Sequence, residues 1–126
     1  MTPITTKNAP IPGGHYSQAI VHNGLVFVSG QLPIDPATGE KKIGSIEEQT
    51  EQTLKNVQSV LEASGSDLNH VLKATVYVAN IDLWGQVNTV YARVFGEHRP
   101  ARAVVPTRDL HHGFLIEIEV IAAQVL

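Results

Sequence analysis

The run Leu115-Ile116-Glu117-Ile118-Glu119-Val120-Ile121 constrains this chain more than any other stretch. It alternates with the period of a β-strand. Ile116, Ile118 and Val120 point one way, while Glu117, Glu119, Ile121 and Ala123 point the other. The first side is suited to a core. The second mixes carboxylates with apolar residues, so it is neither a clean solvent face nor a clean core face. Whatever else the chain contains has to cover the first side. An uncovered, partly apolar sheet face calls for burial against another copy of the chain.

The remaining elements supply the cover. Two β-prone runs, Tyr16–His22 and Leu25–Ser29, meet at Asn23-Gly24, a pair that tolerates positive φ at both positions and so signals a hairpin. Residues 8–14 are too rich in Pro and Gly for a helix and form an extended lead-in. Residues 33–44 form a loop with a tight turn. Ser45 and Glu48 have capping-box spacing. Behind them Ile46, Thr50, Thr53, Leu54, Val57, Val60 and Leu61 recur at three and four, predicting a helix that Gly65 ends. Val71–Val78 reads as a strand. Asp82 is placed to cap a second helix with Leu83, Val87, Val90, Tyr91, Val94 and Phe95 on its apolar side and Gly96 as its stop. Strands over Ala101–Thr107 and Leu115–Ala123 complete the order ββ-α-β-α-ββ, in a sheet begun and ended by hairpins. The class is α+β: one mixed sheet with both helices on one face.

With 126 residues, one domain spanning 1–126 and one core are expected. The formal charge of −3, from nine Lys+Arg against twelve Asp+Glu, argues against nucleic acid and anionic membrane as partners. Absence of cysteine removes disulfides, thiolate ligands and Cys nucleophiles. Residues 1–12 do not have the apolar run of a signal peptide, and no stretch reaches the ~20 apolar residues of a membrane span. A cytoplasmic protein is expected. The six histidines show no ligand spacing on a shared element, so no metal is expected.

The common nucleotide, hydrolase and metalloprotease motifs are missing, which leaves charged residues inside apolar strands. Arg102 lies in Pro-Ala-Arg-Ala-Val-Val-Pro. Glu117 and Glu119 share one strand face, roughly 7 Å apart. An Arg–Glu ion pair on a solvated face would explain all three and contribute little. The functional reading is a strand-borne Arg that grips a small carboxylate in two-pronged fashion, with a nearby Glu that activates water.

Several collinear segments point to the second reading. Pro100-Ala101-Arg102-Ala103-Val104-Val105, with Ile116-Glu117-Ile118 beyond it, resembles the C-terminal signature of the RidA/YjgF family. Gly14-His15-Tyr16-Ser17-Gln18-Ala19, Val28-Ser29-Gly30-Gln31-Leu32-Pro33, Asp35-Pro36-Ala37-Thr38-Gly39, Gln52–Val57 and Val87–Tyr91 resemble its other segments, so the likeness covers about residues 8–124. The chain departs from the pattern at His15, where the family usually has Pro, at Val104, a Cys in many deaminases, and in the loop 109–114. The resemblance implies a chorismate mutase-like fold and a homotrimer with ligand clefts between subunits. It also implies hydrolytic deamination of enamines and imines such as 2-aminoacrylate to 2-keto acids and ammonia, without metal or organic cofactor. On that basis Arg102 would clamp the substrate carboxylate and Glu117, as an ordinary ionised carboxylate, would hold the attacking water. Tyr16, Ser29 and Asn88 would line the pocket, and Gly30 would allow close backbone approach. Glu119 would be a solvated or paired neighbour.

Two other readings remain open at this point. One is a trimer that binds keto acids at Arg102 without turnover. The other is a ribonuclease, against which the acidic balance counts. The two-sided final strand predicts self-association and the resemblance implies three copies: light scattering coupled to size exclusion should give about three times the chain mass of 13.6 kDa, and a clean monomer would exclude any site built between subunits.

Overall fold

The hairpin anticipated at Asn23-Gly24 forms with φ of 51° and 76° at its two central residues, the twist that suits antiparallel strands. It joins β2 (Ala19–His22) to β3 (Leu25–Gln31). The structure is a computed structural model that describes residues 1–125. A short strand not expected from the sequence, β1 (Thr2–Ile4), pairs antiparallel with β2 at the sheet edge. The Pro-rich lead-in behind it runs unpaired and is tied down by a buried side chain. Gln18 donates from Nε2 to the carbonyls of Thr6 and Pro10 at 2.9 Å each and accepts from the Thr6 N–H at 2.7 Å. Residues 16–18 therefore serve the lead-in, and β2 starts later than its apolar pattern suggests.

Helix α1 (Ile46–Ala63) begins where Ser45 Oγ accepts from the Glu48 N–H at 3.1 Å. It ends before Gly65, whose φ of +77° a residue with a Cβ adopts only at a cost. Strand β4 (Val71–Val78) and helix α2 (Trp84–Phe95) follow. Asp82 does not cap α2. A turn of 3₁₀-helix over Ile81–Leu83 precedes the helix, and Asn80 Oδ1 caps that turn by accepting from the Asp82 N–H at 2.8 Å. Gly96 stops α2 with a φ of +64°.

Strands β5 (Ala101–Pro106) and β6 (Ile116–Ala123) do not form the expected closing hairpin. The sheet order is β1-β2-β3-β6-β4-β5. β5 pairs parallel with β4, because the intervening α2 returns the chain to the same end of the sheet. β6 inserts between β3 and β4, antiparallel to both. A strand apolar on both sides gains most from such a central place.

Ile116, Ile118, Val120 and Ala122 of β6 are buried with Val26, Val28, Ala74, Val76 and Val78 under the two helices. The opposite sheet face carries Leu25, Phe27, Tyr77, Val105, Glu117, Glu119 and Ile121, and no element among the described residues covers it; Phe27 is 42% exposed. No helix among the described residues is long and apolar enough to cross a membrane.

Buried polar side chains of α1 fasten the loops. Gln49 donates to Gly44 O at 3.1 Å and accepts from the Leu115 N–H at 2.8 Å. Asn56 Nδ2 donates to the carbonyls of Leu32 and Ile34 at 2.9 and 2.8 Å. An apolar residue of similar size at position 56 leaves both carbonyls without that donor. Asn56→Leu is expected to cost about 1–3 kcal/mol in chemical denaturation; a loss below about 0.5 kcal/mol would mean that water takes over the two carbonyls.

Candidate functional site

The register between β3 and β6 shifts between Val28 and Gln31, so β3 carries an extra residue at Ser29-Gly30. This is a β-bulge, a common device for redirecting side chains near functional sites. The Ser29 N–H donates to Gln18 O at 2.9 Å and Ser29 Oγ donates to Ser17 O at 2.6 Å, which pins the bulge to the chain beside Tyr16. Gly30 then lies directly under the Glu117 carboxylate. A Cβ at position 30 would meet Glu117 Oε2 and would stand 2.9 Å from Glu117 Cδ. Only glycine leaves the carboxylate in place, so the close approach assigned to Gly30 is first of all an approach to Glu117.

Glu117 is half-buried and is not the unperturbed carboxylate expected from the sequence. Burial pushes its carboxyl above the usual range, His111 partly counters this, and Glu119 adds to it. Glu119, its neighbour on the same face, accepts a hydrogen bond from the Tyr77 hydroxyl, so it is a paired residue. Tyr16, Gly30, Gln31, His111 and His112 line a pocket of about 300 Å³ at this end of the sheet. Tyr16 is 52% exposed and its hydroxyl accepts from the Gly13 N–H at 3.4 Å. The two histidines are exposed, as loop residues should be, yet His111 belongs to the surroundings of Glu117. Spacing alone gives no sign of its place, because the loop folds back over β3. His112 adopts a φ of 57°, a conformation uncommon for a residue with a side chain.

Arg102 stands elsewhere. Its register partner on β4 is Ala74, a core residue, whereas the partner of Glu117 is Tyr77 on the open face. Arg102 and Glu117 therefore project from opposite faces of one sheet, and the Arg–Glu ion pair that the sequence allows does not form. Arg102 instead reaches α2. Its Nη1 donates to Asn88 Oδ1 at 2.9 Å, and its guanidinium carbon lies 4.7 Å from the centroid of the Tyr91 ring. Asn88, Tyr91, Phe95, His98, Arg99 and Arg102 are among the residues lining a second pocket, of about 490 Å³. In the sequence Tyr91 reads only as part of the apolar stripe of α2. Its spacing of three from Asn88, which puts both side chains on one helix face, is the one signal there for its second role.

Within one protomer the candidate residues thus fall into two half-sites: Tyr16, Ser29, Gly30 and Glu117 at the bulge, and Asn88 and Arg102 at the edge strand. The first provides a carboxylate of raised proton affinity beside an open pocket. The second provides a held guanidinium whose remaining N–H groups have no partner among the described residues.

Comparison with known proteins gives a consistent picture. A family model described as endoribonuclease L-PSP matches residues 6–124. A RutC family protein of Pyrococcus horikoshii is 50% identical over 119 residues, 94% of each chain. A 2-iminobutanoate/2-iminopropanoate deaminase of Rattus norvegicus is 41% identical over 121 residues, 96% of this chain and 88% of that protein. The crystal structure of Escherichia coli TdcF with bound serine superposes with a TM-score of 0.94 at 32% identity, covering 99% of this chain and all of that one.

The raised proton affinity of Glu117 has a thermodynamic consequence. A carboxyl whose folded pKa lies above its unfolded value, about 4.3, contributes stability that is complete below the unfolded pKa. That contribution is lost as pH rises through the folded pKa. Glu117→Gln removes the loss. Its Tm relative to the parent protein should be higher at pH 7 than at pH 4, and an equal difference at both pH values would show that burial does not penalise the ionised group.

Proposed function

The chain belongs to the RidA/YjgF family, whose model describes an endoribonuclease L-PSP, and we propose that it hydrolyses small reactive enamines and imines to 2-keto acids and ammonia. The substrates on this reading are 2-aminoacrylate with its tautomer 2-iminopropanoate, and 2-iminobutanoate. We place the active unit as a homotrimer in the cytoplasm, beside the pyridoxal-phosphate enzymes that release such intermediates. The observation that carries the proposal is the division of the site. A carboxylate clamp and a water-holding carboxylate stand on opposite faces of one sheet, so they meet only when Arg102 of one subunit approaches Glu117 of the next. The uncovered apolar face and the deaminase name of a 41% identical relative support the same reading.

The chemistry asks little of the protein. The guanidinium of Arg102 takes the substrate carboxylate through charge-assisted hydrogen bonds, which aims the C=N carbon into the cleft. An enamine first becomes the imine by tautomerising, gaining a proton from water at its terminal carbon and losing one from its nitrogen to water. Glu117 accepts a proton from water as the oxygen bonds to the imine carbon. It gives that proton to the nitrogen, which leaves a carbinolamine, and then carries the hydroxyl proton to the same nitrogen as the C–N bond breaks, so that ammonia leaves and the hydroxyl oxygen becomes the carbonyl of the 2-keto acid. A carboxylate pushed upward by burial suits both halves of this exchange, since its proton affinity lies nearer the working pH. A free imine already hydrolyses in water, so orientation and one activated water supply most of the acceleration required. No metal or organic cofactor enters the scheme.

Serine bound to TdcF is an amino acid without a C=N bond, so it also fits a trimer that holds carboxylates without turnover. Subunit mixing separates the two readings and tests the shared site. Glu117→Gln should lower imine turnover by ~10²–10⁴, Arg102→Ala should lose the carboxylate, and Glu119→Gln should keep most activity. Trimers co-refolded from equal amounts of Arg102→Ala and Glu117→Gln chains each hold one intact Arg–Glu pairing whenever both chain types are present. Turnover should then return to roughly a quarter of the parent level. Mixed trimers as inactive as their parents would overturn the inter-subunit site, and a parent protein that binds 2-oxobutanoate without accelerating imine decay would make it a binder.

A further inference from the structure

We propose that Tyr91 is a positioning residue for Arg102, acting through the face of its ring as a platform on which the guanidinium rests. The proposal rests on the reading of Arg102 as the carboxylate clamp and adds what holds the clamp in place. A guanidinium on a flexible side chain has two orientations to lose before it grips a carboxylate in two-pronged fashion: the tilt of its plane and its rotation within that plane. Asn88 Oδ1, 2.9 Å from Nη1, fixes the second. Tyr91, its ring centroid 4.7 Å from Cζ, fixes the first, because the electron-rich face of the ring attracts the cation. Both residues come from one face of α2. The platform is itself held, since the Tyr91 ring packs against Phe95 with centroids 4.5 Å apart at a 35° tilt.

The Tyr91 hydroxyl points to the ring as the working part. Tyr91 is only 6% exposed, and its hydroxyl is buried with no hydrogen-bond partner among the described residues. A buried hydroxyl without a partner is unfavourable, so the fold gains nothing from it that Phe would not supply. The ring contributes packing and, through its face, the orientation of Arg102. The remaining Nη and Nε N–H groups of Arg102 have no partner among the described residues and stay available to a carboxylate.

The experiment compares Tyr91→Leu and Tyr91→Phe as assembled proteins, with Tyr91→Met as a second filler lacking a π face in case Leu disturbs the core. The probe is 2-oxobutanoate, titrated calorimetrically, alongside KM and kcat for 2-iminobutanoate generated in situ. The Leu and Met variants are expected to bind 2-oxobutanoate roughly 3–30-fold more weakly, with KM rising in parallel and kcat changing much less. Tyr91→Phe should recover affinity to within about threefold of the parent and match or exceed its thermal stability. Parent-like affinity in folded Leu and Met variants would overturn the proposal, and so would a Phe variant that falls as far as Leu. If the parent holds 2-oxobutanoate and the variants rank as stated but none accelerates imine decay, the deaminase reading fails and the role of Tyr91 stands. A parent protein that neither holds the keto acid nor turns over the imine overturns both.

Discussion

Strand β6 is hydrogen-bonded along both edges, to β3 and to β4, and the rest of the molecule is arranged around its alternation. Its even-numbered residues from Ile116 to Ala122 are buried under α1 and α2. Its odd-numbered residues stand on a face that no element among the described residues covers. A strand with two edges satisfied and one side in the core has little freedom to slip, since a one-residue shift would drive Glu117 and Glu119 into the core and turn Ile118 and Val120 out. The cost of burying two carboxylates among aliphatic side chains locks the register. With it the position of Glu117 is locked as well.

The bulge in β3 uses that fixed point. An extra residue at Ser29-Gly30 breaks the ladder to β6 locally, and the missing side chain at Gly30 makes room for the carboxylate. Bonds from Ser29 to the backbone of Ser17 and Gln18 tie the bulge to the segment that carries Tyr16. The loop at 32–34, on the far side of the same pocket, is held from below by Asn56. Glu117 thus lies against the backbone at Gly30 with His111 nearby, and its raised proton affinity follows first from burial.

Arg102 is built on a different principle. It lies on the edge strand β5 and is steadied by α2, the helix that connects β4 to β5. The parallel β4-α2-β5 unit places Asn88 and Tyr91 over the start of β5. Helix and strand each carry one part of the proposed clamp, joined by the Arg102–Asn88 hydrogen bond and the contact of the guanidinium with the Tyr91 ring. Two rigid half-sites on opposite faces of one sheet are of use only when copies of the chain bring them together, which is why the oligomer and the chemistry form a single proposal.

Much of this is legible locally. Asn23-Gly24, the Ser45 cap, the stops at Gly65 and Gly96 and the two-sided pattern of β6 all depend on near neighbours in sequence, where turn geometry and helical or strand periodicity decide the outcome. The parity of β6 alone places Glu117 and Glu119 on one face, and the family resemblance singles out Arg102, Asn88 and Gly30. Strand order is not legible, because pairing of β6 between β3 and β4 and of β5 beside β4 is settled by contacts between residues far apart in sequence. The same holds for β1, for Asn80 in place of Asp82 as the cap, and for His111 beside Glu117. Above all, parity within one strand says nothing about which face of the sheet a residue on another strand will share. The sequence permits residues 102 and 117 to be neighbours. The register of β5 on β4 and of β4 on β6 sets them on opposite sides, and that register is decided only when the core packs.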